Sequence, residues 1–190
     1  MDADEIRELL GNEFAFIFNE VNPVLQDLGL QETSKILDIG TGVGWMAIIL
    51  ALNNYEVITG EPDEDDSEYA KQDWLEPARK AKVDHMITYT PFNAENMPFE
   101  DNFFDAIFIL GSLHHIIDKT AALKECVRVL RLKGVICIFE PNDNLIKIIR
   151  NNRSHSHPDA VDPRNFTKKL HLVLELVKRP YYDTYIFRKQ

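Results

Sequence analysis

The sequence is poor in cysteine, with only Cys126 and Cys137 among 190 residues. That count excludes a disulfide framework and points to a reducing compartment. It has no apolar run approaching the roughly 20 residues of a membrane-spanning helix. It has no internal repeat and no low-complexity segment. Positive charge is also scarce: 21 Lys and Arg stand against 31 Asp and Glu, for a formal net charge of −10. Such a surface repels phosphate backbones, so nucleic acid is not an expected partner. The acidic opening, MDADEIRELL, is unlike a signal or transit peptide. A cytoplasmic protein with no membrane association is expected, and no pattern speaks to its oligomeric state. Lysine is missing between Lys35 and Lys71, which removes the Gly-Lys-Ser/Thr needed by a phosphate-cradling P-loop.

What the chain does have is an ordinary globular composition, 45% hydrophobic and 27% charged. Its length fits one domain with a full core. The most informative stretch is KILDIGTGVGWMAIIL, from Lys35 to Leu50. A short apolar run ends in Asp38-Ile39, glycines occupy 40, 42 and 44, and an apolar segment begins at Trp45. The pattern predicts a buried strand, a tight glycine turn and a helix. Glycine suits the turn because it lacks Cβ and tolerates positive φ. Backbone N–H groups then face a crevice at the carboxyl end of the strand. The dinucleotide fingerprint G-x-G-x-x-G requires a glycine where Trp45 stands, which opposes a nicotinamide dehydrogenase.

The pattern Asp38-x-Gly40-x-Gly42-x-Gly44 resembles motif I of the class I S-adenosylmethionine-dependent methyltransferases. The resemblance implies that Gly40, Thr41, Gly42 and Gly44 hold the amino-acid end of the cofactor and that Asp38 shapes the loop. Glu61, with Pro62 beside it, lies 17 residues after Gly44, after the predicted second strand Tyr55–Thr59. The family places a ribose-binding carboxylate there. Asn93-Ala94-Glu95-Asn96-Met97-Pro98-Phe99 resembles the D-A-E-x-L-P-F box beside the adenine, with Asn93 in place of aspartate. An amide oxygen still accepts from an exocyclic amine. Gly111-Ser112-Leu113-His114-His115 comes after an apolar strand, Phe104–Leu110. That triplet of Leu and two His resembles the ubiquinone- and menaquinone-methylating branch, which places Gly111, Ser112, Leu113 and His114 on the methyl-transfer face. His114 is the candidate for catalysis, since neutral imidazole can take a proton from an acceptor O–H or N–H. Val127 to Gly134 resembles the R-V-L-K-P-G-G turn, with Leu132 for proline and Val135 for the second glycine.

The remaining elements are read from pattern. Residues 1–32 read as an N-terminal helical segment in two pieces, the second restarted at Asn22-Pro23, with the phenylalanines at 14, 16 and 18 either core-facing or part of a lid. Residues 33–141 read as the cofactor-binding core. Ser67–Lys82 reads as helical, kinked or divided at Pro77. His85–Thr90 reads as strand three, Asp118–Leu130 as an amphipathic helix and Val135–Glu140 as strand five. Residues 142–190 read as an acceptor-side loop and a C-terminal hairpin of Leu172–Lys178 with Thr184–Arg188. Asp63 to Asp66 suit a helix N-terminus. Cys126 reads as a packing residue. His155-x-His157 supplies two imidazoles in a loop, too few to imply a metal, and none is expected.

The expected fold is a single α/β domain: a three-layer sandwich whose seven-stranded, mostly parallel sheet has its last strand antiparallel, the Rossmann-like methyltransferase fold. The resemblance implies methyl transfer from S-adenosyl-L-methionine, leaving S-adenosyl-L-homocysteine. A small-molecule acceptor is favoured. The competing reading is a module that binds the cofactor without turnover, or a subunit of a complex that methylates a protein.

Overall fold

In the computed structural model, residues 3–63, 72–152 and 157–190 are described. The chain divides into two compact units, Met1–Phe92 and Asn93–Gln190.

In the first unit, helix α1 spans Ala3–Asp27. Its one non-helical residue is Gly11, at φ 89°. The break therefore falls at Gly11, and the helix runs on through Asn22-Pro23, where the sequence predicts a restart. Val21, Val24, Leu25 and Leu28 are buried, continuing a stripe begun by Phe14 and Ile17. Phe14 meets Trp45 edge-on, with centroids 5.2 Å apart. Of the three phenylalanines, Phe14 is core-facing, while Phe16 and Phe18 are half-buried.

Strand β1 (Ile36–Ile39) is buried throughout, as a central parallel strand must be. Helix α2 (Trp45–Leu52) buries six of its eight residues. Strand β2 (Val57–Gly60) pairs parallel with β1, so that Asp38 lies opposite Thr59 and Ile39 opposite Gly60. Strand β3 (Ile87–Tyr89) pairs parallel with β2.

Helix α3 covers only Leu75–Lys80. Pro77 sits in its first turn, where no intrahelical N–H is required, and does not interrupt it. Of the predicted Ser67–Lys82 helix, residues 72–74 precede α3 and residues 67–71 lie outside the described residues, as do Glu64, Asp65 and Asp66.

In the second unit, strand β4 (Phe104–Leu110) pairs parallel with β5 (Leu130–Pro141). The register jumps from Phe104↔Leu130 to Ala106↔Val135, so residues 131–134 bulge out of one continuous strand. Lys133 takes positive φ in that bulge. The segment predicted as a turn before strand five is thus a bulge within it, with no proline to stiffen it. Between these strands, helix α4 (Lys119–Val129) is capped by Asp118, whose carboxylate accepts from the Ala121 N–H at 2.9 Å.

Helix α5 (Asp143–Asn152) occupies a stretch predicted as loop. Asn142 accepts from the N–H groups of Asn144 and Leu145 at its start. A short helix, α6 (Arg164–Thr167), comes next. Strands β6 (Leu172–Lys178) and β7 (Tyr182–Lys189) form the terminal hairpin, and β7 runs antiparallel to both β6 and β5. The seven strands make a mostly parallel sheet in which only the C-terminal strand opposes the rest.

Gly60 is fixed by contact. A Cβ there would lie 1.9 Å from the Thr90 carbonyl oxygen and 2.7 Å from the Phe92 ring. Gly60→Ala is expected to destabilise the fold toward the upper end of the about 1–3 kcal/mol typical of overpacking. Denaturant titration measures this, and an unchanged midpoint would show that the backbone at Thr90 gives way freely.

Candidate active site

In the first unit the site is a bend of backbone. Gly40, Gly42 and Gly44 all take positive φ, at 89°, 46° and 81°. L side chains rarely adopt that region. Gly44 is doubly constrained, since a Cβ there would lie 2.9 Å from the Trp74 Cβ. At Gly42 a Cβ would meet nothing within 4 Å, so this loop borders open space. The Gly44 N–H donates to the Thr41 carbonyl at 2.7 Å, and the Gly40 N–H to the Gly60 carbonyl at 2.9 Å.

The parallel register of β1 and β2 brings their carboxyl ends together, and with them two carboxylates. Glu61 Oε2 accepts the Gly42 N–H at 3.0 Å. This bond aims the acid at the loop and still leaves acceptor capacity, because a carboxylate offers about four lone-pair positions. Asp38 is fully buried. The Thr59 hydroxyl donates to its Oδ2 at 2.8 Å, so the Thr41 hydroxyl, 2.8 Å from Thr59 Oγ1, donates in turn to Thr59. Asp38 Oδ1 is buried with no partner. Burial pushes the Asp38 carboxyl up to about 8, against the Thr59 hydrogen bond and with help from the Glu61 charge. Pro62 is exposed beyond Glu61.

In the second unit the predicted adenine box is a turn closed on itself. Asn93 Oδ1 accepts the Glu95 N–H at 2.8 Å, and the Asn96 N–H donates to the Asn93 carbonyl at 3.0 Å. Ala94 is buried, and Glu95 Oε1 accepts from the Asp118 N–H at 2.9 Å. Sequence reasoning missed Arg128, which fastens the segment Met97–Asp101. Its guanidinium donates to the carbonyls of Met97 and Phe99 and to the carboxylates of Asp101 and Glu125, at 2.7–3.0 Å. Glu125 also accepts the Met97 N–H at 2.8 Å. The Arg128 hydrogen bond holds the Glu125 carboxyl below its ordinary value.

At the carboxyl end of β4, Gly111 takes φ 59° and donates its N–H to the Phe139 carbonyl at 2.8 Å. Ser112 is half-buried, and Leu113 and His114 are buried in the 3₁₀ turn Leu113–His115. The parallel pairing sets the end of β5 beside this turn. There Glu140 Oε1 meets His114 Nδ1 at 2.5 Å, both side chains 1% exposed. Burial raises the Glu140 carboxyl to about 8 and lowers the His114 imidazole to about 4. Sequence reading missed Glu140 as a partner. The available signal was a lone acid closing the otherwise apolar run Val135–Phe139. His157 packs 4.9 Å from His114, centroid to centroid. His155, close to it in sequence, lies outside the described residues.

Residues 37–138, just over half of the chain, match the sequence profile of the family described as Methyltransferase domain. The chain belongs to this methyltransferase family. S-adenosyl-L-methionine is the cofactor that membership implies, with S-adenosyl-L-homocysteine as its spent form. The chain is 34% identical over 111 residues to 27-O-demethylrifamycin SV methyltransferase of Amycolatopsis mediterranei, covering 58% of this chain and 40% of that one. It is 29% identical over 116 residues to the ubiquinone/menaquinone biosynthesis C-methyltransferase UbiE of Proteus mirabilis, covering 59% and 44%. The chain thus spans less than half the length of these curated relatives. A solved structure of a SAM dependent methyltransferase from Aquifex aeolicus superposes with a TM-score of 0.70 at 19% identity, covering all of both chains. That likeness concerns the fold of the methyltransferase domain.

Asp38 yields a pH test. Its carboxyl ionises near 3.8 when unfolded and near 8 when folded. Unfolding therefore releases a proton between those values, and native stability falls as pH rises across that window. Asp38→Asn keeps the Thr59 hydrogen bond without the ionisation. Denaturant titrations from pH 4 to 8 are expected to show the variant gaining on the wild type by up to about 1.4 kcal/mol per pH unit. Parallel curves would mean that Asp38 is ionised in the native state.

Proposed function

We propose that this protein transfers the methyl group of S-adenosyl-L-methionine to a small-molecule acceptor. The observation that carries the reading is the triple positive-φ glycine bend with the Glu61 carboxylate bonded to its central N–H. It lies inside the stretch that matches the family. The residues fit the cofactor: Gly42 borders open space and Asp38 Oδ1 is a buried polar atom without a partner.

From the first unit, Gly40, Thr41, Gly42 and Gly44 are assigned to the methionine end, Asp38 to the support of the bend, Glu61 to the ribose hydroxyls, and Pro62 to the cofactor site beside Glu61. From the second unit, Asn93, Ala94 and Glu95 are assigned to the adenine, and Gly111, Ser112, Leu113 and His114 to the methyl-transfer face, the first three on the cofactor and His114 as the candidate catalytic residue. The cofactor supplies a sulfonium carbon open to in-line displacement. The protein's own part is to hold the reactants in near-attack geometry, which demands few dedicated side chains. Asn93 Oδ1 already accepts one bond within its turn and keeps a second lone pair for an exocyclic amine. Arg128 positions the turn from outside by tying Met97, Phe99 and Asp101 to α4. A small acceptor agrees with the net charge of −10 and with relatives named for a rifamycin derivative and for ubiquinone/menaquinone biosynthesis.

Calorimetry with S-adenosyl-L-methionine tests the binding half. Glu61→Ala is expected to weaken binding by about 1–3 kcal/mol, through lost ribose contacts and a loosened bend. Undiminished affinity would reject the ribose assignment, and tight binding of NAD in place of S-adenosyl-L-methionine would end the reading. Transfer of labelled methyl into a small-molecule fraction of cell extract tests the reaction. Binding without transfer would leave a cofactor-holding module, and label entering protein would move the acceptor to that class.

A further inference from the structure

Three imidazoles converge within the second unit although the sequence scatters them. His114, His115 and His157 each place a ring nitrogen so that the three lie within 4.8 Å of one another. Ring centroids stand 4.2 Å apart for His114 and His115, 4.9 Å for His114 and His157, and 5.5 Å for His115 and His157.

The contacts at the two buried rings are ones that metal ligands use. The Nδ1 of His114 faces the Glu140 carboxyl at 2.5 Å, while its Nε2 is buried with no partner. A buried nitrogen left unbonded is a cost that a folded protein normally avoids. The Nδ1 of His157 lies 3.0 Å from the Pro158 carbonyl. A carbonyl only accepts, so Nδ1 carries the proton and Nε2 is the lone-pair nitrogen of the neutral ring. Metal-bound histidines usually donate their other N–H to a carboxylate or a backbone carbonyl, which fixes both tautomer and ring orientation. The Glu140 carboxyl faces His114 Nδ1 and serves this way in the tautomer that carries the proton on Nδ1, and the Pro158 carbonyl faces His157 Nδ1. His157 is itself held from α5, where Arg150 donates to the His157 carbonyl and to the Asp159 carboxylate.

We propose that His114, His115 and His157 form a binding site for a divalent transition-metal ion of the zinc type. Three imidazoles suit zinc, nickel, cobalt or copper, and three protein ligands leave a further position open. With metal–nitrogen bonds of about 2.0–2.1 Å, tetrahedral ligands stand about 3.4 Å apart. The cluster must therefore contract by up to about 1.4 Å at its widest. His115, exposed beside two buried partners, is the ring that swings inward. Glu140 is then a positioning residue, orienting His114 without touching the ion. This site goes beyond methyl transfer and does not depend on it. A bound ion would offer a Lewis acid to an oxygen ligand at the open position.

The test uses the tag-free, chelator-stripped full chain titrated with Co²⁺, followed by visible absorption, and with Zn²⁺, followed by calorimetry. One ion per chain with a micromolar or lower Kd is expected, with cobalt bands characteristic of nitrogen ligation. His115→Ala and His157→Gln are each expected to weaken binding at least about tenfold, and Glu140→Gln by about 10–100-fold. His85→Ala and His171→Ala, at exposed histidines outside the cluster, are expected to change nothing. His115→Ala alters an exposed side chain, so it tests the site even where a buried substitution fails to fold. Absence of stoichiometric binding overturns the proposal. So does binding that survives both His115→Ala and His157→Gln, or that falls equally with His171→Ala. Affinity for S-adenosyl-L-methionine is read separately at the glycine bend, so either assignment can fail alone.

Discussion

The backbone reversal between Gly40 and Gly44 is the constraint on which the first unit turns. Three residues in five take a left-handed conformation, and each would be strained with any side chain larger than hydrogen. That bend does not hold itself. Glu61 grips its centre, Gly60 receives its first N–H, and the chain of hydroxyls from Thr41 through Thr59 to Asp38 braces it from below. All of these partners come from one event, the parallel pairing of β1 with β2 in a register that sets Asp38 against Thr59. A slip of one residue would turn the slipped strand's side chains to the opposite face and part Asp38 from Thr59.

The second unit repeats the logic with different chemistry. The parallel register of β4 with β5 brings the end of one strand beside the end of the other, and Glu140 arrives against His114. In both units a carboxyl buried at a strand end is raised to about 8 by the loss of water around it. Open α/β sheets concentrate function at these carboxyl ends because loops there are released from the ladder while the strands beneath stay rigid. Arg128 extends the principle: one planar guanidinium fastens two carbonyls and two carboxylates, making a rigid object of a turn with little regular structure.

Local pattern makes much of this legible. Trp45–Leu52, Phe104–Leu110 and Leu172–Lys178 have the bounds their pattern predicts, because each is a mainly apolar run closed by turn residues. The glycine spacing identifies the bend, and the family match bears out the methyltransferase resemblance. What escapes is decided by context. Pro23 sits inside a helix that its burial stripe carries past it. Asp143–Asn152 reads as loop for its polar residues, yet it buries Leu145 and Ile146. The bulge at 131–134 depends on strand register, which sequence does not display. Glu140, Arg128 and the meeting of His157 with His114 are long-range pairings, invisible to any window of neighbouring residues. Sequence spacing couples His157 to His155, whereas folding sets it beside His114 and His115.

The placement of β7 has a consequence for how the molecule is made. That strand lies between β5 and β6 and hydrogen-bonds to both, so residues 182–189 supply the middle of a three-strand layer. During synthesis, β5 has one open edge and β6 has no neighbour at all until residues 182–189 leave the ribosome. The nascent second unit therefore waits with one edge of the apolar run Val135–Phe139, the edge away from β4, open to other chains. Translation aborted before Tyr182 would leave that edge permanently open, making this one strand a checkpoint for solubility as much as a piece of architecture.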